Sequence, residues 1–187
     1  RGTRHMTKYT MDMVLQYAKV FPENADYGDP RGNRIAKAIS DKGGQYIVQA
    51  YFTDPSQIEE LLQDGLQETV MNNPRIIDGD AQFGIGKYMK LKRGVTDVKT
   101  FTDRNGKPFE KDYGGAPGVV NLTEGVENKR AWVFSEDGPL GNGTEAKVQF
   151  DTYSNGSGVR LLNIGVTNHV PYSEGGPSED DQLFMVG

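Results

Sequence analysis

The sequence predicts a mainly β fold, a Greek-key barrel with one inserted α-helix, although a β-sandwich fits the pattern as well. Glycine at 24 and proline at 9 of 187 positions predict many turns between short elements. Alternating apolar and polar residues predict about six or seven strands, and a single segment has helical spacing. The length suits one domain with a tail.

The first third of the chain is predicted to contain two strands separated by a long loop. Residues 12–20 have the pattern of a first strand or a short helix. A loop rich in glycine, proline and asparagine begins at Pro22 and carries three cations, Arg31, Arg34 and Lys37. Residues 45–52 are apolar on both faces, which indicates a central strand.

One helix is predicted after this strand. Its start fits Asp54 as the N-cap with Pro55 at the first helical position, or Ser56 as the cap of a capping box with Glu59. Apolar side chains recur at helical spacing before Asn72: Ile58, Leu61, Leu62, Leu66 and Val70. Residues 54–80 hold seven acidic side chains and one arginine, so the helix is a poor surface for a polyanion.

The strand predicted at residues 87–93 begins a basic stretch in an acidic chain. Residues 87–111 contain eight Lys or Arg and three Asp or Glu, a net charge of +5, whereas the whole chain has −5. Period-2 geometry separates Tyr88, Lys90 and Lys92 from the apolar Met89 and Leu91. One face therefore offers a ring beside two ammonium groups, which suits a flexible polyanion with stacked bases. A half-buried strand with a solvated lysine face has the same pattern.

Four more β segments follow the basic strand. Residues 96–109 are predicted to form a hairpin around Asn105-Gly106. A glycine-rich connector leads to a short strand at 131–135, and two longer strands, 146–153 and 159–166, close the domain.

The ends of the chain are expected to lie outside this domain. We expect residues 1–5 to be an expression remnant ahead of an initiator Met6, and the domain to span residues 6–172. Residues 173–187 are rich in Ser, Glu, Gly and Pro, which predicts an acidic flexible tail.

No enzyme motif stands out in the composition. The absence of cysteine removes disulfides, thiol catalysis and zinc–thiolate sites. We interpret His169 as a structural side chain, and Asp78 and Asp80 as turn residues rather than ligands of a divalent cation. No apolar run approaches the ~20 residues of a membrane helix. We therefore predict a non-enzymatic protein with no metal, no cofactor and no membrane contact.

Basic residues alternate with aromatic ones in several segments, which favours nucleic-acid binding. Phosphate contacts are predicted from the basic strand, and secondary ones from the early loop and the hairpin: Lys87, Lys90, Lys92 and Arg93, then Arg31, Arg34 and Lys107. Tyr88 and Trp132 are predicted to stack bases, with Phe134 and Tyr153 as weaker candidates. Core packing is the competing interpretation for Trp132 and Phe134.

Several of these segments together resemble the OB-fold single-stranded DNA-binding proteins of tailed bacteriophages. The first strand and loop of that family are similar to Gln16-Tyr17-Ala18-Lys19 and Tyr27-Gly28-Asp29-Pro30. Its second strand is similar to the run from Gly44 to Val48 that leads to Asp54-Pro55. The closing strands, from Gly143 to Tyr153 and from Gly158 to Leu161, and the acidic tail with a late Phe184 also fit.

The resemblance implies an OB-fold protein that coats single strands, anneals complementary ones and acts in phage DNA replication and recombination. It further implies the cytoplasm of the infected bacterium as the location and replication proteins as partners through the tail, and it leaves oligomerisation open. The tail departs from the family pattern, because only four acidic residues precede Phe184 and Met185-Val186-Gly187 follow. Either the sequence stops inside a longer tail or recruitment through it is reduced. The alternative function is a phage virion or interaction β-domain without nucleic-acid binding.

Overall fold

The computed structural model describes residues 6–172, so the expectations for residues 1–5 and for the tail at 173–187 lie outside the described residues. The described chain contains twelve strands and three α-helices. In order they are β1 (Thr7–Lys19), α1 (Arg34–Asp41), β2 (Gln45–Phe52), α2 (Pro55–Gln63), β3 (Thr69–Val70), β4 (Asn73–Pro74), β5 (Ile77–Asp78), β6 (Lys87–Gly94), β7 (Val98–Thr102), β8 (Pro108–Asp112), β9 (Gly118–Asn121), β10 (Arg130–Ala131), α3 (Phe134–Asp137), β11 (Thr144–Tyr153) and β12 (Gly158–Asn168).

Eight of the strands form one mixed sheet in the order β10-β9-β12-β11-β1-β2-β6-β5. Neighbouring strands are antiparallel except β9 and β12, which are parallel. The pairs β3–β4 and β7–β8 form two further small sheets. The predicted mainly β class is therefore confirmed, and so are the central strand, the hairpin and the two closing strands.

The core lies against the inward side chains of the large sheet. Val48, Leu91, Phe150 and Leu161 are all fully buried there, and Leu61 of α2 packs against them. The sheet curls, so that β6 approaches β12 although the two strands share no ladder of hydrogen bonds. A ladder that would close the sheet into a barrel is absent from residues 6–172.

The prediction of a single inserted helix is wrong. α2 has one of its two predicted starts, because the Asp54 carboxylate accepts a hydrogen bond of 2.8 Å from the backbone N–H of Ser56. α1 lies where a loop was predicted, and the side chain of Asn33 caps it by accepting from the N–H of Ala36 at 2.9 Å. Its eight residues follow a long turn-rich segment, whose composition concealed the short helical pattern.

The prediction of a short strand over residues 131–135 is also wrong, except at its first residue, Ala131, which lies in β10. Asp137 accepts a hydrogen bond of 2.8 Å from the N–H of Val133 and forms a two-pronged ion pair with Arg130, with distances of 2.9 Å. These contacts turn the chain into α3 immediately after β10. None of the helices in residues 6–172 has the length and apolar character needed to cross a membrane.

Candidate nucleic-acid interface

The strand β6 has the two-sided pattern that the sequence predicts. Met89 and Leu91 are fully buried, whereas Lys90 and Lys92 are exposed on the opposite face. In the register with β2, Lys90 pairs with Gln49 and Lys92 pairs with Ile47, so β2 places no acid beside either lysine. Neither lysine forms an ion pair with a described residue. Both charges are therefore available to an external anion.

The two lysines line a recess of about 830 Å³ between the β2–β6 surface and α1, which we call the cationic recess. Its charged lining contains six cations and two acids: Arg34, Lys42, Lys90, Lys92, Arg93 and Arg160, with Asp26 and Asp97. Its apolar lining includes Ile47 and, on α1, Ile35, whose side chain is 69% exposed. The recess thus offers positive charge beside apolar contact area.

Lys92 shows how strongly positive this recess is. Its side chain reaches solvent, but desolvation in the recess lowers the pKa of its ammonium, and repulsion from Lys90, Arg75 and Lys42 lowers the pKa further. Asp26 opposes this shift only in part. A bound phosphate would relieve the repulsion, so the charge pattern favours an anionic ligand.

Two arginines of the recess are held in place by the protein. The Arg93 guanidinium lies 3.5 Å from the carbonyl oxygens of Leu161 and Gly114. An Nη of Arg160 donates over 3.0 Å to the carboxylate of Asp151, which is 1% exposed. Because these guanidinium groups are already ordered, less conformational entropy is lost when they contact a phosphate.

Tyr88 is only partly available as a stacking ring. It is half-buried, and its ring centroid lies 5.0 Å from that of Tyr51. Gly79 packs against the ring so closely that a Cβ at this position would lie 2.7 Å from two ring carbons. Burial, followed by the neighbouring Tyr51, raises the pKa of the Tyr88 hydroxyl. Tyr88 does not line the cationic recess.

The structure contradicts the predicted stacking role of Trp132. The side chain is 8% exposed, and its indole N–H donates to the carbonyl oxygen of Gly138 at 2.8 Å. The ring of His169 packs edge-on against it, with centroids 4.8 Å apart. Phe134 packs on Phe21, with centroids 5.1 Å apart. Core packing, the competing interpretation of both rings, is what the structure shows.

The remaining predicted cations divide into two groups. Arg34, at the start of α1, and Arg93 line the cationic recess with Lys90 and Lys92. The others are exposed but lie outside its lining: Arg31 before α1, Lys107 at the hairpin tip, and Lys87, whose ammonium is 2.6 Å from Asp78.

Sequence reasoning missed Lys42 and Arg160 as members of the recess. Lys42 follows the end of α1, so recognising the short amphipathic helix would have placed it at the opposite end of the same helix from Arg34. Arg160 lies in β12, far from β6 in sequence, and no local signal indicates that the two strands approach each other.

The two aspartates considered as metal ligands have local roles. Asp78 pairs with Lys87, and the Asp80 carboxylate accepts a hydrogen bond of 3.0 Å from the N–H of Gln82. Across residues 6–172 no group of three or more His, Asp or Glu side chains is arranged to hold a metal ion.

No protein-family model and no curated protein sequence matches this chain. The resemblance to phage single-stranded DNA-binding proteins therefore stays a prediction.

Proposed function

We propose that the protein binds single-stranded DNA without sequence specificity, and that it is a non-enzymatic protein of phage DNA replication and recombination. The observation that carries the proposal is the cationic recess, which is lined by six cations and two acids; one of the cations, Arg160, is also paired with Asp151. Lys90 and Lys92 have no ionic partner among the described residues. Contacts from such groups to phosphates give affinity that does not depend on the base sequence.

The proposal includes an OB-type arrangement of the large sheet. The strands β12, β11, β1, β2 and β6 are consecutive neighbours, and the Arg93 side chain of β6 reaches the Leu161 carbonyl of β12. Five strands thus follow one another around an incomplete ring, as in a partly open OB-fold barrel. The cationic recess lies on β2 and β6, the second and third strands along the chain in that ring, and the corresponding surface of OB-folds binds oligonucleotides.

The biological setting rests on the sequence resemblance alone. The resemblance supports a role in the cytoplasm of an infected bacterium, with replication proteins as partners of the acidic tail. The tail lies outside the described residues, so the support for DNA binding comes from the domain itself.

The double variant Lys90→Ala/Lys92→Ala tests the proposal. Anisotropy of a labelled oligothymidine of about 30 nucleotides measures affinity over a range of salt concentrations. We expect the wild type to bind at low salt. For the variant we expect binding about tenfold weaker and a slope of log affinity against log salt shallower by about 1.4, because each lost phosphate contact on a single strand contributes about 0.7.

Lys8→Ala/Lys129→Ala is the matched control, since both lysines are exposed, form no ion pair with a described residue and lie outside the recess lining. We expect its salt slope to equal that of the wild type. Equal affinity and slope in the Lys90/Lys92 variant would reject the recess as the binding site. A wild-type protein that binds no oligothymidine at low salt would reject the function and favour the interaction-domain alternative.

A further inference from the structure

The β7–β8 hairpin has two chemically different faces. In its register Lys99 lies opposite Lys111 and Phe101 lies opposite Phe109, so all four side chains share one face. The other face pairs Thr100 with Glu110 and Val98 with Asp112. Two aromatic rings and two lysines therefore lie on one side of the hairpin, with Asp97 at its base 3.5 Å from the Lys99 ammonium, and Glu110 and Asp112 lie on the other side.

The rings on the basic face are open to solvent. Phe101 and Phe109 are 37% and 46% exposed and stack with centroids 5.5 Å apart. Tyr113 extends the row, 6.2 Å from Phe101, and the Lys111 ammonium lies 5.1 Å from the centre of its ring. Large aromatic side chains that stay in water do not contribute the stabilisation that their burial would give the fold. An exposed row of them beside lysines therefore indicates a binding surface.

The hairpin is held rigidly enough to present this surface. At the tip the Asp103 carboxylate accepts from the N–H groups of Asn105 and Lys107 at 2.8 and 2.9 Å. At the base the Asp112 carboxylate accepts from the N–H groups of Asp97 and Gly114, both at 2.8 Å. These local bonds fix the direction of the strands where the hairpin leaves the large sheet.

Part of the aromatic face lines a second recess, of about 380 Å³, which we call the aromatic slot; Lys99 and Phe101 belong to its lining, whereas Phe109 and Lys111 lie outside it. One side is formed by Lys99, Phe101 and Tyr113, and the other includes Tyr153 and Arg160. Asp97, Tyr153 and Arg160 also line the cationic recess, so the two recesses adjoin. A strand whose phosphates lie in the first recess can reach the second without leaving the protein surface.

We propose that the aromatic slot binds unpaired bases of the same DNA strand and that it supplies the preference for single strands over duplexes. This inference rests on the proposed function. Planar rings stack on any base. Lys111, on the same face of the hairpin, forms no ion pair with a described residue and complements the charge of the adjoining phosphates, whereas Lys99 and Arg160 in the slot are paired with Asp97 and Asp151. Bases of a duplex are already stacked and paired, so a duplex reaches only the cationic recess.

The variant Phe101→Leu/Phe109→Leu tests the slot, because leucine keeps an apolar cross-strand pair and removes both the ring of Phe101, which lines the slot, and the ring of Phe109, which stacks on it. Affinities are measured for an oligothymidine, an abasic oligonucleotide of equal length and a duplex. We expect the wild type to prefer oligothymidine over both. In the variant we expect oligothymidine to bind about tenfold more weakly and the abasic strand to bind unchanged.

Thr100→Ala/Thr102→Ala is the control, since it alters the same strand on the opposite face without changing charge. A second readout is photocrosslinking of 5-iodouracil in the oligonucleotide, which we expect to map to Phe101, Tyr113 or Tyr153. This readout uses the wild-type protein and so stands even if the leucine variant loses the hairpin fold.

Crosslinks confined to other parts of the chain would overturn the proposal that the aromatic slot binds bases. So would a wild type that binds oligothymidine and the abasic strand equally, or a leucine variant that keeps the full preference. These results leave the cationic recess and the proposed function intact. Failure of the wild type to bind either single strand is the separate result that removes the function itself.

Discussion

The strand β6 and the β7–β8 hairpin both carry lysines beside aromatic rings, but they expose opposite parts of that combination. On β6 the lysines are open and the ring of Tyr88 is packed between Tyr51 and Gly79. On the hairpin the rings themselves are open. The difference shows that an interleaved basic and aromatic sequence does not specify which of its side chains are exposed, because packing decides whether the ring or the charged group reaches solvent.

The two regions also differ in what holds them. β6 lies between β2 and β5 in the large sheet, and its inner side chains are part of the core. All ten residues of β7 and β8 are exposed, and the hairpin is fixed by local hydrogen bonds at its tip and base. Substitutions in β6 should therefore alter the stability of the whole domain, whereas substitutions in the hairpin should alter only the local stability of the hairpin.

The largest expected effect is that of Leu91→Ala. Leu91 is fully buried, so we expect the free energy of unfolding to fall by about 2–5 kcal/mol in urea denaturation. The matched change in the hairpin, Val98→Ala, removes a side chain that is 53% exposed and should stay within about 0.5 kcal/mol. A similar loss of unfolding free energy in both variants would contradict the distinction between the core strand β6 and the locally held hairpin.

Asp112→Ala is expected to have a local effect. Hydrogen bonds from the N–H groups of Asp97 and Gly114 lower the pKa of the Asp112 carboxyl below its ordinary value of 3.8. The charged form is thus favoured by folding, and its contribution is present above that value and lost as the pH falls through the lowered pKa. We expect faster amide exchange in residues 98–112, with unchanged exchange in β6.

Acid should reproduce this change in the wild type. Below the lowered pKa, protonation weakens the two bonds at the base of the hairpin, so the amides of 98–112 should lose protection before those of β6. The Asp112→Ala variant should show no such acid-dependent step. Simultaneous loss of protection in both regions would contradict a separately held hairpin.

The smallest expected effect is spectroscopic and concerns Tyr88. Because burial raises the pKa of its hydroxyl from 10.0, the phenol should ionise late in an alkaline absorbance titration. Its stabilising contribution is complete below pH 10.0 and is lost as the pH rises through the raised pKa. The Tyr88→Phe variant should therefore lack one of the tyrosine ionisation steps that the wild type shows late in this titration.

Tyr9→Phe is a positive control for this titration. Burial, with a hydrogen bond to Asp64, raises the pKa of Tyr9 to about 12, so its late component should also disappear. A Tyr88→Phe difference spectrum that follows an ordinary tyrosine would show that the β6 ring is as open as those of the hairpin.

Local patterns were sufficient for the elements with strong periodicity or turn chemistry. The alternation in 87–93 correctly separated Met89 and Leu91 from Lys90 and Lys92, and the Asn-Gly turn correctly located the hairpin. The same reasoning overlooked α1 and extended a strand through Trp132. In both places a hydrogen bond from a backbone N–H to a side-chain oxygen, of Asn33 and of Asp137, selects the backbone path, and composition does not reveal it.

By itself the sequence determined a mainly β domain, the two-sided character of β6 and four of the cations that meet in the recess. Each depends on neighbours within a few residues, whose geometry is set by the period of a strand or the start of a helix. Tertiary structure alone decided that Arg160 joins those cations, that Trp132 is buried and that Phe101 of the hairpin lines a slot with Tyr153 and Arg160. These outcomes depend on how distant strands curl together, and local sequence carries no record of that approach.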